Sequence, residues 1–355
     1  MSDARTPVVL LTGFLGSGKT TLLNAWLRSP KLGDAAVIVN EFGDIGIDSD
    51  LIAASDDRTV ELTTGCLCCT VSGDLVETLR DLFARRLRGE IKHFNRVIIE
   101  TTGLADPIPV LQTLMTFPVA REYSLARVVS AVEAPQGATT LDRYRESVRQ
   151  VAVADDIVVT KLDLVRSAPD ALERRLREIN PGARIWQATL ADTPDLVEAF
   201  TTDAHDLKTR PGAANDWLND LALHGDGQGH AHETAGHTHH HEHSHHDENV
   251  ITFSLAFDEP LHWEHVAAWL DALVIAHGED LLRVKGIFRI VGREEPIVVQ
   301  AVQKLFHPPF ALDAWPQGRK ASRVVFITRG ISEAFVREVL DTLRQRTPRQ
   351  PEMAV

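Results

Sequence analysis

The chain has 355 residues and a formal net charge of −13, from 37 basic and 50 acidic side chains. No basic stripe stands out, which argues against nucleic-acid binding, and no apolar run approaches the roughly 20 residues that cross a bilayer. The 44% hydrophobic and 25% charged fractions are those of a soluble globular protein long enough for two domains, and the few cysteines fit a reducing cytoplasm.

The N-terminal stretch PVVLLTGFLG is short, has no cleavage site after it and reads as a strand, not a signal peptide. Over the first 200 residues, VVLLT (8–12), AAVIVN (35–40), RVIIE (96–100), RVVSAV (127–132), DIVVT (156–160) and ARIWQA (183–188) read as buried strands. Helical patterns fall between them, among them TTLLNAWLR (20–28), DLVETLRDLFARRLR (74–88) and ALERRLREIN (171–180). Continuously apolar strands with intervening helices predict a doubly wound α/β domain over 1–200, its sheet mainly parallel.

Residues 201–249 are polar, and ten of the chain's 16 histidines lie between His224 and His246, interleaved with Gly, Asp and Glu. This segment reads as a linker with metal-binding composition. Beyond it, ITFSLAF (251–257), LLRVKGIFRIVG, PIVVQAVQ and SRVVFITR read as strands, with helical spacing over 262–276 and 331–346. The expectation is a small α+β domain of ferredoxin-like type over 250–348, with a short tail at 349–355.

Three motifs carry the chemistry of the first domain. Gly13-Phe14-Leu15-Gly16-Ser17-Gly18-Lys19-Thr20 fits the P-loop pattern and lies between a strand and a helix, the setting that supports it. Its backbone N–H groups would wrap the phosphates, with Thr21 beside them. Lys19 would reach the β and γ phosphates, and the Thr20 hydroxyl would ligate Mg²⁺. RVIIETTGLADP (96–107) resembles a Walker B strand entering a switch loop: Glu100 would hold the Mg²⁺ shell or orient water, and the Gly103 N–H would meet the γ phosphate. Thr160-Lys161-Leu162-Asp163 follows an apolar strand where guanine-specific proteins carry Asn-Lys-x-Asp. The Asp163 carboxylate can accept both guanine hydrogens at N1 and N2, a pairing adenine cannot offer.

All three cysteines stand within TTGCLCCT, as Cys66, Cys68 and Cys69. Adjacent cysteines cannot bridge without severe strain, so no disulfide framework is encoded. A metal-binding thiolate cluster, a redox site and three inert buried thiols remain as readings. Thiolates favour Zn²⁺ or Cu(I), and three of them leave a fourth position for a carboxylate, histidine or water. The preceding acidic loop, Asn40-Glu41-Phe42-Gly43-Asp44, lies where P-loop proteins keep a switch.

Taken in order, GFLGSGKTTLLN, NEFGD, GCLCC, ETTGLADP and TKLD, with LLRVKGIFRI, VQKLFHPP and SRVVFI after the linker, resemble the CobW-like GTPases. These are usually described as zinc chaperones. The resemblance covers nearly the whole chain apart from the His-rich linker. It implies a P-loop GTPase that uses Mg²⁺ to hydrolyse GTP and hands zinc to a client metalloprotein. Carried over by position, Cys66, Cys68 and Cys69 would be zinc ligands, with Glu41 a further ligand or switch residue. Lys19, Glu41 and Glu100 would serve catalysis, and Asp44 joins the two acids as a candidate to orient the water. Thr160 departs from the commoner Asn, which bears on base affinity. A metal buffer or sensor that barely turns over nucleotide stays open, because the His tract suits storage equally well. A cobalt or iron chaperone for cobalamin synthesis or a nitrile-hydratase-type enzyme also stays open, and so does a homodimer. A kinase is disfavoured, because TKLD points to guanine.

Overall fold

Strands that are apolar at every position must be covered on both faces, and the first half of the chain folds accordingly. The structure, a computed structural model, describes residues 5–32, 34–40, 59–62, 71–165, 170–188, 197, 250–315 and 320–346. The chain divides into two units, Met1–Thr209 and Arg210–Val355. The reading of 201–249 as a linker lies outside the described residues, as does the tail.

The first unit is a seven-stranded sheet with helices in the connections. Its elements run β1 (Thr6–Gly13), α1 (Lys19–Leu27), β2 (Ala35–Asn40), β3 (Thr59–Leu62), α2 (Val71–Leu87), β4 (Arg96–Glu100) and α3 (Ile108–Met115). They continue with β5 (Tyr123–Glu133), α4 (Gly137–Arg143), α5 (Arg145–Ala152), β6 (Asp156–Thr160), α6 (Asp170–Ile179) and β7 (Arg184–Gln187). The strand order is β3-β2-β4-β1-β5-β6-β7, and every neighbouring pair is parallel. The sheet is therefore the expected doubly wound type, with β1 in the middle. Val9 and Leu11 of β1 pack with Leu22, Leu23 and Trp26 of α1. Val8 and Leu10 point the other way and are as completely buried.

A polar cluster within this sheet holds β5, β6 and β7 in register. Arg127 pairs with Asp156, and Trp186 Nε1 donates to the other carboxylate oxygen of Asp156 at 2.7 Å. Asp155 Oδ2 accepts the Val128 N–H at 2.9 Å. A buried ion pair is tolerable when both carboxylate oxygens are engaged, as they are here. At the start of β5, the Tyr123 hydroxyl donates to the Leu79 carbonyl of α2 at 2.8 Å. Burial pushes that phenol's pKa above its ordinary range.

The second unit contains β8 (Val250–Phe257), α7 (Trp263–His277), β9 (Leu281–Phe288), β10 (Ile297–Val302), β11 (Leu305–Phe306), β12 (Phe310–Ala311), β13 (Ser322–Arg329) and α8 (Glu333–Arg346). The sheet order is β11-β10-β9-β13-β8, with β12 also on β10. Its strand pairs are all antiparallel. Because β8 and β9 both run antiparallel to β13, β8-α7-β9 is a split βαβ unit with β13 inserted, the ferredoxin-like feature. Trp269, Phe326, Leu255 and Val336 centre its apolar core. Trp269 Nε1 donates to the Val336 carbonyl at 2.8 Å, tying α7 to α8. Among the described residues no helix is long and apolar enough to cross a membrane.

Candidate nucleotide site

Parallel strands send all their carboxyl ends to one edge, and in open α/β sheets ligands bind there. Gly13 ends β1, Glu100 ends β4, Glu133 ends β5 and Thr160 ends β6. The register sets Leu11 beside Glu100, Gly13 beside Ala131, and Glu133 beside Thr160. The three motifs, scattered over 150 residues of sequence, thus meet at one edge.

The loop from Gly13 to Lys19 turns tightly. A Cβ on Gly13 would stand 2.3 Å from the Ala131 carbonyl oxygen, so a side chain there would prise β1 from β5. Gly16 and Gly18 have φ of 71° and 85°, and Gly18 caps α1 from the left-handed region. Lys19 Nζ donates to the carbonyls of Gly13 (2.9 Å) and Phe14 (3.1 Å), which places its charge over the loop at the helix N-terminus. Ser17 and Lys19 are buried, whereas Thr21 lies exposed on the first turn of α1.

The Thr20 hydroxyl donates to Glu100 Oε1 at 2.7 Å. Two hard oxygen donors in contact beside the loop are the set Mg²⁺ takes in P-loop sites, so the residues present fit that ion. Just beyond, the Thr101 N–H donates to the Leu11 carbonyl and its hydroxyl to Thr12 Oγ1, both at 3.0 Å. The loop then carries Gly103 against the P-loop, where an added Cβ would stand 2.5 Å from the Leu15 nitrogen.

Thr160 sits where Asn is commoner, and its hydroxyl donates to the Ser17 carbonyl at 2.6 Å. A side-chain tie from β6 to the P-loop is therefore made by the shorter residue. Lys161 adopts φ 56°, a left-handed conformation uncommon for a non-glycine residue. Its Nζ meets Glu133 Oε2 at 2.7 Å, and a Cβ on Gly16 would lie 4.0 Å from that nitrogen. Asp163, one residue into the following turn, is exposed.

Glu41, Asp44, Cys66, Cys68 and Cys69 lie outside the described residues. Among the described residues no group of three or more His, Cys, Asp and Glu side chains could hold a metal. The chain leaves β2 at Asn40 and β3 at Leu62, both at the edge that carries the P-loop. Sequence reasoning did not find Glu133, Tyr144, Arg149 or Gln150. Their partners are a lysine ammonium, an aromatic ring, a carboxylate and backbone carbonyls, pairings with no motif. The available signal was a glutamine within the apolar stripe of ESVRQVA.

Residues 7–187, just over half of the chain, match the family described as CobW/HypB/UreG, nucleotide-binding domain. The chain belongs to this family. Residues 250–344 match the cobalamin synthesis protein cobW C-terminal domain, so both halves of the CobW arrangement are present. Zinc chaperone YjiA of Escherichia coli is 32% identical over 339 residues, covering 95% of this chain and 98% of the relative. Zinc chaperone CobW of Pseudomonas aeruginosa is 30% identical over 374 residues, covering 96% and 92%. The crystal structure of Zn(II)-bound YjiA GTPase from E. coli superimposes with a TM-score of 0.65 at 25% identity, covering 96% of this chain and 99% of that one.

Proposed function

We propose that this chain is a GTP-hydrolysing metallochaperone that binds zinc and passes it to a client metalloprotein in step with its nucleotide state. The observation that carries the reading is the meeting of P-loop, Glu100 and Thr160 at one sheet edge, with Thr20 in contact with Glu100. The N–H groups of residues 13–20 cradle the phosphates and Lys19 neutralises them. Thr20 and Glu100 hold Mg²⁺, which when bound offsets negative charge on the phosphate oxygens. Asp163 selects guanine by accepting its two edge hydrogens, and Lys161, Gly103 and Thr160 shape the loops around the nucleotide. Glu41, Asp44 and Glu100 are the acids available to orient the attacking water.

Zinc is cargo in this reading, held by Cys66, Cys68 and Cys69 with Glu41. Supporting it, Glu41 directly follows β2, and the thiols fall in the connection from β3 to α2, after strand ends on the nucleotide edge. The relatives named zinc chaperones support zinc over cobalt or iron. Free thiolate ligands require a reducing compartment, so the reading places the protein in the cytoplasm.

The test is a competition titration of zinc and cobalt on wild type and a Cys66→Ala, Cys68→Ala, Cys69→Ala variant, with GTP turnover in parallel. Unchanged metal affinity in the variant would remove the cargo site. Equal zinc affinity with GTP analogue, GDP and no nucleotide would remove the coupling. The ten histidines between 224 and 246 favour a second reading, a metal buffer. Under it, deleting 224–246 abolishes most metal capacity, whereas under the chaperone reading the tight site survives.

A further inference from the structure

Helix α5 belongs to none of the motifs, yet it engages both loops of the nucleotide site. At its N-terminal flank Tyr144 stacks on Phe14 of the P-loop, with ring centroids 4.5 Å apart and planes 30° apart. Asn180 secures its far end, donating from Nδ2 to the carbonyls of Val151 (2.8 Å), Ala152 (3.2 Å) and Ala154 (2.9 Å). Between these anchors the helix is a rigid mount, the kind of element that positions side chains accurately.

Two consecutive residues of that mount hold the loop that follows β4. Gln150, 1% exposed, donates from Nε2 to the carbonyls of Gly103 (3.2 Å) and Ala105 (3.1 Å). Carbonyls only accept, so the NH₂ end must face them and the amide has one orientation. Arg149 pairs with Asp106 Oδ2 at 2.7 Å, and Asp106 Oδ1 accepts the Ile108 N–H at 3.0 Å, where α3 begins. Gln150 also lines a cavity of about 20 Å³ with Ser17 and Ser130, room for one water. Gln150 Oε1, Ser17 Oγ and Ser130 Oγ are buried without a hydrogen-bond partner among the described residues. The amide thus faces the loop of Gly103 at one end and lines a small cavity with Ser17 of the P-loop.

Val148 and Val151 show that this face of α5 packs well with apolar side chains. A glutamine sunk among them is costly unless its polar ends are used. Here one end grips the backbone on either side of Leu104, in the loop that brings Gly103 against the P-loop.

We propose that Gln150 is a positioning residue for γ-phosphate recognition: by holding the Gly103 and Ala105 carbonyls, it fixes the Gly103 N–H relative to the P-loop. Its role is exerted through the loop after β4 rather than on the nucleotide. The inference rests on the reading of this edge as a guanine-nucleotide site.

The experiment compares full-length wild type with Gln150→Leu, which keeps the bulk and removes the donor. Affinities for GDP and for a non-hydrolysable GTP analogue are measured by calorimetry with Mg²⁺, alongside kcat and KM for GTP. The expected result is GDP affinity within about twofold of wild type, analogue affinity about tenfold weaker, and kcat about tenfold lower. Parallel losses for both nucleotides, or no loss for either, would overturn the proposal. If Gln150→Leu does not fold, Gln150→Met, unbranched and of similar length but with no donor, decides: a loss confined to the analogue supports the proposal, and an equal or absent loss overturns it. A wild type that binds both nucleotides without turning over GTP would sink the hydrolysis reading, while the ratio of affinities still judges Gln150. A wild type that binds neither nucleotide would overturn both.

Discussion

In the first unit buried Ser17, Lys19, Glu100, Thr101, Gln150 and Thr160 gather in or against the loops at one sheet edge. In the second, Arg283 on β9, Gln300 on β10, and Ser322 and Thr328 at opposite ends of β13 are spread through the sheet. Strand direction explains the contrast. Parallel strands deliver every carboxyl end, and the loop after it, to the same side, so donors and acceptors from distant sequence accumulate there. Antiparallel strands alternate their ends, and the second unit spends its large side chains on a core around Trp269 and Phe326. The first unit adds a polar edge to its apolar core and to the Arg127–Asp156 cluster, whereas the second is centred on its core.

The strongest way to break that contrast is at the centre. Trp269 is fully buried, stands edge-on to Phe326 and Phe257, and donates to the Val336 carbonyl. Trp269→Ala should cost about 4–5 kcal/mol of stability, combining a large cavity with a lost hydrogen bond. A urea titration following the second unit checks this, and a loss below about 2 kcal/mol would show that the core is not centred there. At the edge the effect should fall on chemistry instead. Lys19→Ala should lower GTP turnover about 10²–10³-fold, about 3–4 kcal/mol on the barrier, and change unfolding stability by no more than about 1 kcal/mol. A variant that loses stability and activity together would mean the P-loop lysine belongs to the fold as much as to the site.

Asp163 sharpens the same point, because it is exposed and supports no core. Asp163→Ala should leave the melting temperature unchanged and reduce the preference for GTP over ATP about 10²-fold, measured by competition for the bound nucleotide. Retained preference would move guanine recognition to another residue.

The legible parts of this molecule are those whose signal is local. AAVIVN, RVIIE, DIVVT and SRVVFITR became strands with the expected bounds, since a continuous apolar run can be read without knowing its neighbours. VVLLT marks the middle of β1 and RVVSAV the C-terminal part of β5, and both strands run longer through residues such as Thr6, Ser124 and Glu133 that pairing with neighbours makes into strand. The four-residue β3 and the two-residue β11 and β12 are too short to show a period and exist through their partners. The site divides the same way. The P-loop is visible because its residues are contiguous, and the Thr20–Glu100 contact follows from two motifs of known role. Gln150 was hidden because its partners are carbonyl groups, which every residue has. Cys66, Cys68 and Cys69 stand out by their spacing, are read as zinc ligands through the family resemblance, and lie outside the described residues.

The smallest expected effect tests whether the edge is held together by side chains or merely assembled by the strands. Thr160 is buried, and its hydroxyl reaches the Ser17 carbonyl from 143 residues away in sequence. Thr160→Val keeps the β-branched shape that β6 favours and removes only the donor. The Ser17 carbonyl would then lack this donor, a loss of about 1–2 kcal/mol. If the tie serves the nucleotide loop, that loss appears as GDP binding about tenfold weaker, with little change in the urea midpoint. If it serves the fold, the midpoint falls and GDP affinity holds. In that second case the segment after β6 would contribute only Lys161 and Asp163, and the P-loop would keep its shape through Gly13 of β1 packed against Ala131 of β5 and through Gly103 packed against Leu15.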